Sequence, residues 1–126
     1  MAQLNHIIIP AHDKDASAKF LGDILGVKPD PQWGPFVPVR TTNGVTLDFV
    51  DSKDVRTQHY AFLVSEQEFD RIFGRIKARK LKYWADPEQK QAGKINNYFG
   101  GRGVYFEDLS GHLLEIITKP YGDWPG

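Results

Sequence analysis

Four residues of this chain have the types and the placing of a metal ligand set. His6 stands in Asn5-His6-Ile7-Ile8-Ile9, and Asp48 in Gly44-Val45-Thr46-Leu47-Asp48-Phe49-Val50. His59 stands in Gln58-His59-Tyr60-Ala61-Phe62, and Glu115 in Gly111-His112-Leu113-Leu114-Glu115-Ile116-Ile117. These segments read as two copies of one plan, with His6 matching His59 and Asp48 matching Glu115. A lone strand histidine is ordinarily a core or surface residue. A histidine–carboxylate pair used twice, at matching places in a repeat, points instead to two imidazoles and two carboxylates around one ion. Imidazole nitrogen and carboxylate oxygen suit Zn, Ni, Co, Mn or Fe(II), and two histidines with one carboxylate and open positions is the non-haem Fe(II) pattern. His6, His59 and Glu115 form the centre of this expectation. Asp48 is its weaker member, because Asp51, Lys53 and Asp54 make that strand end polar in any case.

The elements that must carry these residues follow from local patterning. Leu4 to Ile9 is a β-branched run that reads as a strand stopped by Pro10. Asp13 or Asp15 caps a helix with Ala16, Phe20, Ile24 and Leu25 at helical spacing, and Gly26 ends it. After a Pro- and Gly-containing loop, residues 36–41 and 45–50 read as strands joined at Asn43-Gly44. The plan then restarts with a strand over 58–64. Ser65, with Glu68 three residues on, is a capping box opening a helix whose apolar face is Phe69, Ile72, Phe73 and Ile76. A short strand over 81–84 leads into a long polar loop, 86–101. Strands over 104–107 and 112–118 follow, around the turn Asp108-Leu109-Ser110-Gly111, and 121–126 is a tail.

Side chains alternate along a strand. Leu113, Glu115 and Ile117 therefore share one face, and His112, Leu114 and Ile116 the other. A carboxylate among apolar neighbours is costly without a cation or a hydrogen-bonding partner. His112 cannot join Glu115 at one site; it is expected to stabilise the turn from the outer face. His6 shares a face with Ile8, His59 with Ala61 and Leu63, and Asp48 with Thr46 and Val50.

Size and composition narrow the function classes. With 126 residues the chain fits one domain, 1–126, made of a module over about 1–53 and another over about 54–120. Lys plus Arg and Asp plus Glu are 16 each, so the formal net charge is zero. Nucleic acid and anionic membrane, which need a basic footprint, are not the expected partners. No cysteine is present, which excludes disulfides, cysteine–zinc sites and thiol nucleophiles. No apolar run approaches the roughly 18 residues that span a bilayer, and no signal peptide is visible, so a cytoplasmic location is expected.

The stretch Gly103-Val104-Tyr105-Phe106-Glu107-Asp108-Leu109-Ser110-Gly111-His112-Leu113-Leu114-Glu115 resembles the closing motif of the vicinal oxygen chelate superfamily, which includes glyoxalase I, extradiol dioxygenases and bleomycin-resistance proteins. Leu4-Asn5-His6, the helix ending in Leu25-Gly26, and Gln58-His59-Tyr60-Ala61-Phe62 are similar too, so the resemblance covers nearly the whole chain. It implies an α+β fold in which two βαβββ modules form a curved, half-open mixed sheet around a divalent-metal cleft. It places His6, His59 and Glu115 on the three usual ligand positions. Asp48 falls where glyoxalase I has a fourth ligand, normally Glu, and is one methylene shorter. Tyr105 falls where related enzymes keep an active-site tyrosine.

The leading expectation is a metalloenzyme that acts on a small molecule chelating the ion through neighbouring oxygens. Glu115 or Asp48 would move a proton in a lyase- or isomerase-like step. The alternatives are an Fe(II) extradiol-type dioxygenase, with Tyr105 donating to substrate, and a metal-free small-molecule binder using Trp33 and other aromatics. Thiol transfer of the fosfomycin-resistance kind is disfavoured by Ile8, where those enzymes carry Thr, and by Gly101 and Gly103, where they carry serines. Lys94, Asn96 and Arg102 would close the long loop over an oxygen-rich substrate. A homodimer is the assembly the resemblance implies.

Overall fold

A computed structural model describes residues 1–121. The chain divides into two compact units, residues 1–57 with 108–110, and residues 58–107 with 111 onward. Among the described residues no helix is long and apolar enough to cross a membrane.

The first unit runs β1 (His6–Ala11), α1 (Lys14–Leu25), β2 (Phe36–Arg40), β3 (Thr46–Asp51). Its three-stranded sheet has the order β1-β3-β2, with β1 parallel and β2 antiparallel to β3. Asp13 caps α1, accepting hydrogen bonds from the Asp15 and Ala16 backbone N–H groups, and Gly26 ends it in the left-handed region at φ 81°. Parity along the strands splits the sheet cleanly. Ile9, Leu47 and Phe49 are buried on one face, and Phe20, Leu21 and Ile24 are the buried residues of α1. Each such side chain taken fully from water is worth about 1.5–3 kcal/mol. The opposite face carries His6, Ile8 and Asp48.

Two expectations change here. β1 does not stop at Pro10 but runs on to Ala11. Proline lacks an N–H for the ladder, and β1 is an edge of its sheet, where that lack is tolerated. The first module also has three strands rather than four, giving β-α-β-β. Pro29, Pro31 and Pro35 interrupt the stretch before β2, and only a Trp33–Phe36 bridge forms there.

The second unit runs β4 (His59–Leu63), α2 (Glu66–Ala78), β5 (Tyr83–Trp84), a 3-10 turn at Tyr98–Gly100, β6 (Gly103–Glu107) and β7 (Leu113–Ile117). Its sheet order is β4-β7-β6-β5, with β4 parallel to β7 and the other pairs antiparallel. Ser65 and Glu68 close the capping box of α2 in both directions, and Phe69, Ile72 and Ile76 are its buried side chains. Phe73 meets Tyr83 edge-on at 5.0 Å, and the Arg102 guanidinium lies 4.4 Å over the Phe69 ring. Tyr83 and Arg102 share their sheet face with Phe106 and Val104, so α2 covers that face. The other face carries His59, Glu115 and Tyr105.

The α+β class and the repeat both hold. In each unit the strand that opens the module pairs in parallel with the strand that closes it. The register agrees to the residue: His6 lies opposite Thr46 and Ile8 opposite Asp48, while His59 lies opposite Leu113 and Ala61 opposite Glu115.

Candidate metal centre

Glu115 occupies the middle of the second unit's sheet, with Ala61 beside it on β4 and Tyr105 on β6. It is 0% exposed. Ionised carboxylate does not go unpaired to such a place, and each of its oxygens has its own partner. Oε1 lies 3.0 Å from His59 Nε2. Oε2 accepts a hydrogen bond from the Tyr121 hydroxyl.

His59 approaches from β4, one register step away, with its other ring nitrogen, Nδ1, 3.1 Å from the Leu113 carbonyl. A carbonyl only accepts, so Nδ1 carries a ring proton, and Nε2 faces Glu115 either with a proton of its own, as an ordinary ion pair, or with a lone pair. A lone pair facing a carboxylate oxygen at this distance requires positive charge between them: a proton or a metal ion. Adjacent donors on one first-row ion, with bonds of about 2.1 Å, sit roughly 3.0–3.4 Å apart. The pair thus fits a metal in donor type and in spacing. A backbone carbonyl behind a ligating imidazole is the usual way such a ring is oriented.

Tyr105 stacks on the His59 ring at 5.7 Å, and its hydroxyl is 2.8 Å from that of Tyr121. Burial, then the Tyr121 hydrogen bond and the Glu115 charge, push the Tyr105 phenol far above its ordinary value. Burial and the hydrogen bond to Glu115 push Tyr121 up to about 12. Both therefore stay protonated at neutral pH and act as donors.

In the first unit His6 repeats part of this arrangement. It is exposed at the start of β1, with Nδ1 2.7 Å from Asn5 Oδ1. An acceptor on Nδ1 leaves Nε2 of the neutral ring with the lone pair. Asp48 is half-buried on the same sheet face, diagonal to His6. Among the described residues no group of three or more His, Asp and Glu side chains converges on one point. What the structure brings together is the His59–Glu115 pair, with Tyr105 and Tyr121 around it.

Several residues have other tasks than those expected. Arg102 is turned toward α2, where it donates to Glu66 Oε1 and Asp70 Oδ1, both at 2.8 Å. The cause is strand parity: Arg102 precedes Gly103 and so points away from the Glu115 face. Asn96 is buried and structural; its amide donates to the Ala85 carbonyl at 2.8 Å, its Oδ1 accepts from the Tyr98 N–H, and its backbone pairs with Gly103. Lys94 is exposed in the long loop. Trp33, 72% exposed, stacks on Phe36 in the first unit. His112 does secure the chain near the turn, accepting from the Gln58 N–H at 3.0 Å, but it is fully buried and packed edge-on against Tyr60 rather than lying on an outer surface. Tyr121 was not anticipated. It belongs to the stretch that reads as a tail, where one aromatic after Lys119-Pro120 carries no periodic signal; the rest of that tail, 122–126, lies outside the described residues.

A twice-repeated strand–helix–strand plan, with an imidazole and a carboxylate on matching strands, defines a class of repeat-built proteins suited to a metal. The sequence matches the Glyoxalase/Bleomycin resistance protein/Dioxygenase superfamily over residues 3–116, and the chain belongs to that superfamily. It is 61% identical to a protein described as oxidase ChaP-H2, with 96% of each chain covered and a TM-score of 0.94. Likeness to oxidase ChaP-H1 is 56%, covering 97% of this chain and 99% of that one, at a TM-score of 0.94. The metallothiol transferase FosB of Lysinibacillus sphaericus (strain C3-41) is 25% identical over 127 residues, or 95% of this chain and 84% of that protein. The named relatives are enzymes.

Proposed function

We propose that this protein is a metal-dependent oxidase of a small molecule that binds the ion through two neighbouring oxygens, with dioxygen as oxidant. The observation that carries the reaction class is the 61% identity, over 96% of both chains, to a protein described as an oxidase. What supports the metal is that His59 Nε2 and the buried Glu115 Oε1 face each other at 3.0 Å, a spacing that two donors on one ion would have. His6, whose Nε2 is left with its lone pair, is the third ligand in this reading, and Asp48 lies outside the set.

A divalent ion, Fe(II) for this reaction class, would be held by His6, His59 and Glu115 and would bring substrate and oxidant together. The chain's own residues do the rest. The Leu113 carbonyl fixes the His59 tautomer. Tyr105, kept protonated, donates to the Tyr121 hydroxyl, which in turn donates to Glu115 Oε2, and so steadies the carboxylate. Burial of Glu115 keeps bulk water from its carboxylate. A homodimer, the assembly the superfamily resemblance implies, is part of this reading.

Lyase- or isomerase-like proton transfer is the second reading, and one observation favours it. Asp48 holds the same register position on β3 that Glu115 holds on β7, so a second carboxylate is available to the plan.

The deciding experiment loads metal-free protein with Fe(II), Zn(II) or Ni(II). Dioxygen uptake is followed with catechols and other vicinal-oxygen aromatics, and turnover of a methylglyoxal–glutathione hemithioacetal is followed in parallel. Dioxygen uptake dependent on Fe(II) and lost in His59→Ala and Glu115→Ala is expected. Hemithioacetal turnover with no dioxygen demand would replace the oxidase reading with the second one. Failure to take up any metal would sink both.

A further inference from the structure

The two oxygens of Glu115 are held on opposite sides by different parts of the chain. Oε1 faces His59 on β4. Oε2 faces Tyr121, which lies beyond β7, outside the sheet. A residue in that position would be free to move unless something held it, and two contacts do. Its hydroxyl meets that of Tyr105, which is fixed on β6, at 2.8 Å. Its ring packs against Phe99 at 5.3 Å. Phe99 is 57% exposed and sits at φ 56°, a left-handed conformation that a bulky side chain adopts only under constraint. Strain of this kind, in an exposed aromatic whose described ring contact is with Tyr121, fits a residue kept there to hold that ring.

We infer that Tyr121 is a positioning residue for the metal centre, fixing Glu115 so that it offers the ion a single oxygen, Oε1. The inference rests on the metal reading proposed above. A carboxylate bound through both oxygens takes two positions on an ion. One whose second oxygen is occupied by a protein hydroxyl takes one, and the position saved is open to a substrate that chelates through two oxygens. Tyr121 thereby links the C-terminal segment, through Glu115, to the room available for substrate. Outer partners of this kind typically change metal affinity 10–100-fold when removed.

The test measures Zn(II) affinity of the metal-free protein by competition with a chromophoric chelator, in the wild type, Tyr121→Phe, Glu115→Ala and the double variant. Tyr121→Phe is expected to weaken binding about 10–100-fold and, because it leaves the buried Oε2 without its donor, to lower the melting temperature of the metal-free protein while leaving it folded. On the Glu115→Ala background the same change is expected to have no further effect, because Tyr121 acts through Glu115. Phe99→Ala, which removes the supporting ring and no hydrogen bond, is expected to give a smaller loss and supplies an independent reading at an exposed position. Unchanged affinity in Tyr121→Phe, with wild type binding zinc, overturns the inference and leaves the metal reading standing. So does an undiminished effect on the Glu115→Ala background. A wild type that binds no zinc removes the metal reading and the inference together.

Discussion

His59 Nε2 lies 3.0 Å from Glu115 Oε1 although the residue paired with His59 across the strands is Leu113. The imidazole reaches along the sheet to a carboxylate one step further on, and the Leu113 carbonyl beneath Nδ1 keeps it in that direction. Replacing either residue removes a donor outright. His59→Ala and Glu115→Ala are each expected to weaken divalent-metal binding by more than about 100-fold, beyond what outer partners cost. Chelator competition followed by elemental analysis checks this, and stoichiometric metal retained in either variant would dismantle the site.

The first unit's contribution separates the two functional readings. His6→Ala is expected to lose metal affinity as severely as His59→Ala. Asp48→Ala is expected to lose less than about tenfold, the low end of an outer partner's range. A loss in Asp48→Ala equal to that in His6→Ala would make the set four-membered and favour proton transfer.

Arg102 offers a contrast between stability and binding. Its guanidinium joins Glu66 and Asp70 and covers the Phe69 ring, but both carboxylates are well exposed, so solvent screens the ion pairs. Arg102→Ala is expected to lower unfolding free energy by about 1 kcal/mol, much of it from lost packing on the ring. Urea denaturation measures this, and KM for a turned-over substrate should not change. A raised KM at unchanged stability would return Arg102 to the substrate side.

Two helical glycines should respond in opposite directions to alanine. A Cβ on Gly22 would come 2.5 Å from the Val27 carbonyl oxygen, a backbone atom that cannot swing away. Gly22→Ala is expected to cost about 1–3 kcal/mol. Around Gly74 in α2 a Cβ meets nothing within 4 Å, and Gly74→Ala is expected to stabilise by about 0.5–1 kcal/mol. Melting temperatures of the two variants give the comparison directly.

The α2 capping box makes a prediction about acid. The Ser65 backbone N–H and side chain hold the Glu68 carboxyl below its ordinary value. A folded-state value below the unfolded one means stability that is present above the unfolded value and lost as pH falls through the folded one. Glu68→Ala, which removes the carboxyl itself, should therefore cost about 1 kcal/mol near neutrality. The gap to wild type should narrow below about pH 4.5, the ordinary range of a glutamate. Denaturant titrations at several pH values read this, and a gap that widened in acid would contradict it.

How much of this was legible in the amino-acid order differs by element, for one physical reason. Local rules govern what neighbours along the chain do to one another. Asp13 and Ser65 as caps, Gly26 as a stop, and the alternation that puts Glu115 and His112 on opposite faces all follow from chain geometry. The repeat was visible because copies of a plan keep their residue types, and the matched register of His6 with Thr46 and His59 with Leu113 extends it to the pairing. Tertiary structure decided what distant segments bring to one place. It turned Arg102 to α2, buried Asn96 within the long loop, carried β1 through Pro10 as an edge strand, and set Tyr121 on Glu115. A hydroxyl that turns back to a carboxylate six residues earlier, from beyond the strand, leaves no trace in spacing or periodicity, because the contact depends on where the chain returns in space. The sequence alone therefore determined the candidate ligand residues and the strands that carry them. Only the fold decided that one of those residues, Glu115, has a partner on each of its oxygens.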